Sequence, residues 1–445
     1  MPLDTSAAPS QDATACDVLI IGGGPAGATA ATLLAGKGRH VILLEKDSHP
    51  RFHIGESLLP LNLRLFETLG VADRMAEIGV HKPGARFVSD EHGRHTAFSF
   101  AAGLNQDYTY AYQVRRSQFD EILFARAREA GADAREGVRV LDVTLDARAG
   151  HRVTARGADG VVHAFRPRFV IDATGRDTML ANAMGSKARN PNNNTAAIYG
   201  HFRGVSPFGE EPEDGNITIH LFDEGWFWMI PLPDGVMSVG VVSNPDFFKR
   251  RRGEVRDFFL ATLRAVPSVA RRMEGAELVS DVTTTGNYSY SSKVMQGDGW
   301  LMAGDAYAFL DPVFSSGVLL AMASAEMGAE VADTWLDDPA RAAPMARDFE
   351  RKVKRAIGSL SWLIYRINKP VLRDMFMTPS NRFRMREGLV SLLAGDVHAN
   401  ANRQMPVLAF KGAFYALSLA YRFGWRLRAG GMVRMRPGST ARAAG

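Results

Sequence analysis

Hydrophobic patterning is densest near the start of the chain. An apolar run over 18–21 breaks at Gly22-Gly23-Gly24-Pro25-Ala26-Gly27, an Ala/Leu-rich stretch follows, and a second apolar run over 41–44 stops at Glu45. Short continuous apolar runs bounded by turn residues predict buried strands, and the stretch between them predicts a helix. Ser57 is placed to cap a helix over 58–69, and Pro60 is tolerated in its first turn. A strand over 108–114 and a helix over 118–130 come next. A small meander over 138–143, 151–155 and 161–165 leads into a buried strand ending at Asp172-Ala173-Thr174-Gly175. Between 195 and 285 strand signals dominate, at 196–202, 217–222, 227–231 and 237–242, with one helical segment over 255–265. A strand over 299–305 stops at Gly304-Asp305, a long helix covers 316–336, and helical patterning prevails from 346 onward.

These elements predict an α/β (α+β) protein. Residues 1–15 read as a disordered tail. Segments 16–85, 105–185 and 285–345 form a nucleotide-binding domain, and 86–104 with 190–284 supply a mostly antiparallel sheet on the substrate side. Residues 346–445 form a helical C-terminal region.

The glycine turn supplies the first chemistry. Gly22, Gly24 and Gly27 stand in G-x-G-x-x-G spacing between a strand and a helix, with an acid closing the next strand. The first glycine allows the turn, the second lets backbone approach a pyrophosphate, and the third lets helix pack on strand. Amides opening the helix face phosphate with the positive end of the helix dipole. Glu45 is positioned to accept from ribose hydroxyls, favouring FAD or NAD over NADP.

Composition narrows the picture further. A chain of 445 residues can hold two or three subdomains, and 46% hydrophobic with 23% charged residues is ordinary for a globular protein. The single cysteine, Cys16, excludes an internal disulfide and fits a reducing cytoplasm; no Cys/His spacing suggests a metal. The N-terminus lacks signal-peptide character, and no run approaches a membrane span. Net charge is +5, with Arg403, Lys411, Arg422, Arg426, Arg428, Arg434, Arg436 and Arg442 in a C-terminal stretch that has no Asp or Glu. Such a stretch suits an acidic carrier protein or an anionic membrane surface, the plain alternative being a solvated helix face and a frayed tail. No nucleic-acid-binding module accompanies it.

Three separated signatures, the glycine turn with Glu45, the Asp172–Gly175 strand end, and Gly304-Asp305, together resemble the FAD-dependent monooxygenase superfamily of the para-hydroxybenzoate hydroxylase type. That resemblance implies a role for Asp305 at the ribityl or ribose part of FAD and places Arg116 near its phosphates. A narrower likeness rests on Trp226-Phe227-Trp228-Met229-Ile230-Pro231, which is similar to the W-x-W-x-I-P signature of flavin-dependent halogenases. Gly55-Glu56-Ser57, the run from Asp311 through Pro312, Ser315, Ser316 and Gly317 to Val318, and Leu392 to Asp396 resemble the same family, in its pyrrole- and phenol-acting branch. Lys82 falls where those enzymes carry their essential lysine.

The resemblance implies that reduced FAD from a separate flavin reductase, dioxygen and chloride or bromide yield hypohalous acid. Halide would rest on the Ser316 and Gly317 amides, the two tryptophans would separate flavin from substrate, and Lys82 would receive the oxidant. Pro312, Gly317 and Val318 would line the flavin. Tryptophan-specific members carry a glutamate where this chain has Phe314, so an electron-rich phenol or pyrrole, including one tethered to a carrier protein, is the expected substrate. An FAD-dependent aromatic hydroxylase, a prenyl-type reductase and a flavin-binding partner without turnover share the fingerprint and stay open.

Overall fold

The computed structural model describes residues 13–191, 193–208, 215–286, 289–396 and 404–434. Its centre is β1 (Thr14–Ile21), which pairs in parallel with Val162–Asp172 on one side and with β2 (Val41–Leu44) on the other. Strands Trp300–Met302 and Asp133–Arg135 extend the sheet in parallel at its two flanks. Val18, Leu19 and Ile20 are fully buried, as the unbroken apolar run requires of a parallel strand covered on both faces. Helix α1 (Pro25–Gly36) carries small residues, alanine, glycine and threonine, at nearly all its buried positions, which lets the long helix Gly317–Asp337 lie directly along it.

The second sheet has the order 277–278, 196–203, 236–243, 225–232, 217–222, 84–89, 94–99. It is antiparallel except where Ile217–Phe222 runs parallel to Gly84–Ser89. Strand Gly225–Leu232 shows period-two sidedness. Trp226, Trp228 and Ile230 join one apolar cluster, while Phe227 and Met229 join another beneath helix Val255–Ala265. A separate two-stranded pair, Val80–Lys82 with Ala111–Gln113, bridges the regions and sets Lys82 opposite Ala111. Among the described residues, no helix is long and apolar enough to cross a membrane.

Several expectations need correction. The first strand begins at Thr14, inside the stretch read as tail, because Thr14 and Ala15 pair with Phe165 and Arg166; positions 1–12 lie outside the described residues. The strands expected over 161–165 and 169–172 are one strand, Val162–Asp172. Pro167 does not interrupt it, since the partner on that side ends at Phe165 and the next begins at Val170. Ser57 is no helix cap: the helix runs Leu61–Leu69 with Pro60 at its cap, and Ser57 bridges to Gln113. The described part of the C-terminal region closes with a hairpin, Trp425–Arg428 with Gly431–Arg434, where helix was expected.

Candidate functional site

A cavity of about 700 Å³ runs from the glycine turn and Glu45 to the faces of Trp226 and Trp228. The turn is fixed by close approach. Gly22 has φ +103°, and a Cβ there would stand 2.4 Å from the Ala173 carbonyl oxygen, while one on Gly27 would stand 1.8 Å from that of Gly22. Only glycine fits either place. Gly22, Gly24, Pro25 and Ala26 line the cavity, and Gly27, behind them, lets α1 close on β1. Glu45 is buried; its carboxylate accepts from the Gly23 amide (2.6 Å) and the Asp47 amide (3.0 Å).

The loop after β2 contributes the opposite wall. Arg51 approaches Glu45 (3.5 Å) and Asp120 (3.4 Å). Arg116 is held by Asp120 (2.9 and 3.0 Å) and by the Ile54 carbonyl (2.6 Å), so its guanidinium is fixed at the wall. Burial, aided by the Arg116 charge, pulls the His53 imidazole down to about 4, leaving a neutral ring. Glu56 is hydrogen-bonded to His201 Nε2 (2.9 Å). Asp305 is pushed up to about 7 by desolvation in the cavity wall, although Arg116 and Arg176 pull it down.

The far end is built by the tryptophans and the start of the long helix. The Trp226 and Trp228 ring centroids are 6.0 Å apart, and Trp228 Nε1 donates to Ser238 Oγ (3.1 Å). Gly240, across the strand, leaves room for the indole: a Cβ there would lie 2.2 Å from it. Pro312, Ser316, Gly317 and Val318 line the same end, with Ser315 in the left-handed conformation (φ 57°) turning the chain into the helix. The first intrahelical bond runs from the Leu320 amide to the Ser316 carbonyl (3.0 Å). The amides of Ser316 and Gly317 therefore precede the helical ladder and can serve an anion. Asp311 accepts from Asn193 (3.1 Å), Thr195 (2.9 Å) and the Val313 amide (3.1 Å), which fixes the turn. Phe314 is buried in the apolar cluster.

Lys82 does not line the cavity itself; it is 1% exposed and stands one side chain behind the wall. Its ammonium donates to Ser57 Oγ (2.8 Å) and to the Leu58 carbonyl (2.7 Å), and lies 5.3 Å from the centre of the Phe100 ring. Ser57 belongs to both places: its residue lines the cavity and its hydroxyl holds the lysine. Desolvation pulls Lys82 down from 10.5 to about 7, since its partners are a hydroxyl and a carbonyl with no carboxylate to hold the charge.

The residues fit FAD. A glycine cradle that any Cβ would fill, an acid beside it, a helix N-terminus and a deep apolar end are the donor set for a dinucleotide and its ring. Sequence reading missed His201, Arg176, Asn193 and Thr195, which carry no local signal. Arg51, His53 and Glu56 lie in a loop whose polarity was visible but whose direction was not.

Residues 15–327 match the family described as the FAD binding domain. The flavin-dependent halogenase gsfI of Penicillium aethiopicum is 33% identical over 76% of this chain and 68% of its own length. The tryptophan 2-halogenase of Chondromyces crocatus is 36% identical over 70% of this chain and 60% of its own. The chain thus spans about two thirds of the length of these curated relatives. Among solved structures, a flavoprotein/dehydrogenase from Cytophaga hutchinsonii superposes with a TM-score of 0.83 at 28% identity, covering 92% of this chain and 99% of that one. The myxobacterial chondrochloren halogenase CndH superposes with a TM-score of 0.76 at 28% identity, covering 91% and 98%. The FAD-binding fold expected from the glycine turn is therefore present, and the chain belongs to the flavin-dependent halogenases within the wider FAD binding domain family.

Proposed function

We propose that this protein is an FADH2-dependent halogenase acting with dioxygen and chloride or bromide on an electron-rich aromatic ring, a phenol or pyrrole. Bound reduced FAD would supply the electrons that, with dioxygen, convert halide to hypohalous acid. Gly22, Gly24, Pro25, Ala26, Gly27, Glu45, Arg116 and Asp305 would hold the cofactor, with Pro312, Gly317 and Val318 at its ring. The Ser316 and Gly317 amides would hold halide at the helix start.

The observation that carries this reading is Lys82. It is enclosed, it reaches the cavity wall through Ser57, and its proton is loosely held. A partly neutral amine can bind or capture an electrophilic halogen and deliver it beyond the wall. Trp226 and Trp228 line the cavity and would keep organic substrate from the flavin, which would separate halogenation from hydroxylation. Phe314 supplies no carboxylate to remove the ring proton, which favours rings that lose it readily. This supports a phenol or pyrrole over free tryptophan, even though one relative bears the name tryptophan 2-halogenase. A separate flavin reductase would supply FADH2, and a carrier-tethered substrate is part of the proposal.

Incubating the protein with FAD, a flavin reductase, NADH and halide against free phenols and carrier-bound pyrroles, with mass spectrometry as readout, tests it. A halogen isotope pattern is expected. Hydroxylated product alone would replace this reading with the hydroxylase.

A further inference from the structure

The C-terminal helix Met405–Arg422 is apolar on two faces. Its inner face, Val407, Phe410 and Phe414, is buried in the cluster that also holds Trp226 and Trp228. Its outer face carries Leu408 (47% exposed), Tyr415 (54%) and Leu419 (56%), followed by Phe423 (69%). Spacings of seven, four and four residues put these side chains on one stripe, opposite the buried one. Trp425 on the hairpin, and Met432 and Val433 after it, are exposed as well. The neighbouring helix Pro339–Ile364 shows what an ordinary water-facing surface looks like here: Arg347, Arg351, Lys352 and Arg355.

This surface is held firmly. Arg426 donates to Asp374 (3.1 and 2.9 Å), the Tyr421 hydroxyl donates to the same carboxylate, and His92 shares a hydrogen bond with it (2.8 Å). Arg426 and Arg428 also reach Glu91 (2.9 and 3.3 Å). Two of the basic residues are thus spent on anchoring, and Lys411 sits over the Trp362 ring (5.2 Å). Arg422 and Arg434 remain exposed beside the apolar stripe. Arg403, Arg436 and Arg442 lie outside the described residues.

We infer that this outer face docks on an anionic lipid bilayer. The apolar stripe would enter the headgroup and acyl boundary, Tyr415 and Trp425 would sit at its edge, and Arg422 and Arg434 would meet lipid phosphates. Charge complementarity selects this occupant: the helix and hairpin hold bases and no acid. The inference stands apart from the proposed halogenation, because its test needs no turnover.

The test is co-sedimentation of the full chain with phosphatidylcholine vesicles, with and without phosphatidylglycerol. Wild type should pellet with the mixed vesicles, weakly with phosphatidylcholine alone, and less as salt rises. Leu408→Glu with Leu419→Glu should lower the bound fraction by about tenfold or more, and Arg422→Glu with Arg434→Glu, which turns attraction to the anionic surface into repulsion, by about tenfold or more as well. FAD binding, followed by flavin fluorescence, should be unchanged in both variants and serves as the folding control. Failure of wild type to bind either vesicle would overturn the inference. So would a dimer, or a complex with an acidic carrier protein, that the Leu408/Leu419 variant loses while vesicle binding persists.

Discussion

The flavin cavity and the lysine site meet at one serine, yet they are built in opposite ways. The cavity's glycine-turn end comes from consecutive residues, 22 to 27, plus an acid one strand later, and close backbone contacts at Gly22 and Gly27 admit only glycine there. The lysine site is assembled from distant pieces. Ser57 and Leu58 come from one loop, Lys82 from a short strand, Phe100 from a helical turn, and Ala111 from the paired strand. Gly22 and Gly27 of this local motif admit no side chain. An assembled site depends on burial, which every contributing segment shares.

Lys82→Ala should separate the two regions most sharply. Halogen transfer is expected to fall on the order of a thousandfold, as for loss of a positioned proton-transfer or nucleophilic group, while FAD affinity stays within twofold or so. Quantifying product by mass spectrometry and FAD by fluorescence checks both halves, and parallel losses would mean that the sites are not distinct. Gly27→Val attacks the other region. With a Cβ 1.8 Å from the Gly22 carbonyl, it should cost about 3 kcal/mol or more and abolish FAD binding, which thermal denaturation and flavin retention would read.

A pH series tests the burial of the lysine. The unfolded side chain titrates near 10.5 and the folded one near 7, so between those values the unfolded state binds the extra proton. Stability therefore rises with pH across that window, by at most about 1.4 kcal/mol per unit from this group, and is lowest below pH 7. Lys82→Met should flatten that rise in a denaturation series and unfold no more easily at neutral pH. An unaltered slope would show that the amine is solvated. The smallest effect is expected from Ser57→Ala, which leaves the Leu58 carbonyl as partner. Halogenation should drop by about tenfold, the worth of one buried hydrogen bond, with Ser57→Thr restoring part of it. If Ser57→Ala matched wild type, the serine would be a spacer and not the link between cavity and lysine.

The same contrast explains what could be read in advance. Strands over 18–21 and 41–44, the helix between them and the helix Val255–Ala265 follow from apolar periodicity, which local sequence carries in full. The sidedness of Trp226 and Trp228 was implicit in their two-residue spacing. Ser57 was misread as a cap because Ser before a helical pattern is the usual cap signal; pairing with Gln113 and the lysine outcompeted that local preference. Pro167 concealed a continuous strand, because whether a proline interrupts a ladder depends on where the neighbouring strands end. His201 beside Glu56 had no signal at all, being 145 residues away in the chain.

By itself the sequence determined the dinucleotide turn, the acid that follows it, and the order of strands and helices, since these depend on steric rules acting over a few residues. Only the tertiary structure decided that Lys82 is enclosed and that Ser57 joins it to the cavity. It likewise decided that one stripe of an otherwise ordinary helix faces outward uncovered. Burial is a property of what surrounds a side chain, and for these residues the surroundings arrive from segments far apart in the chain.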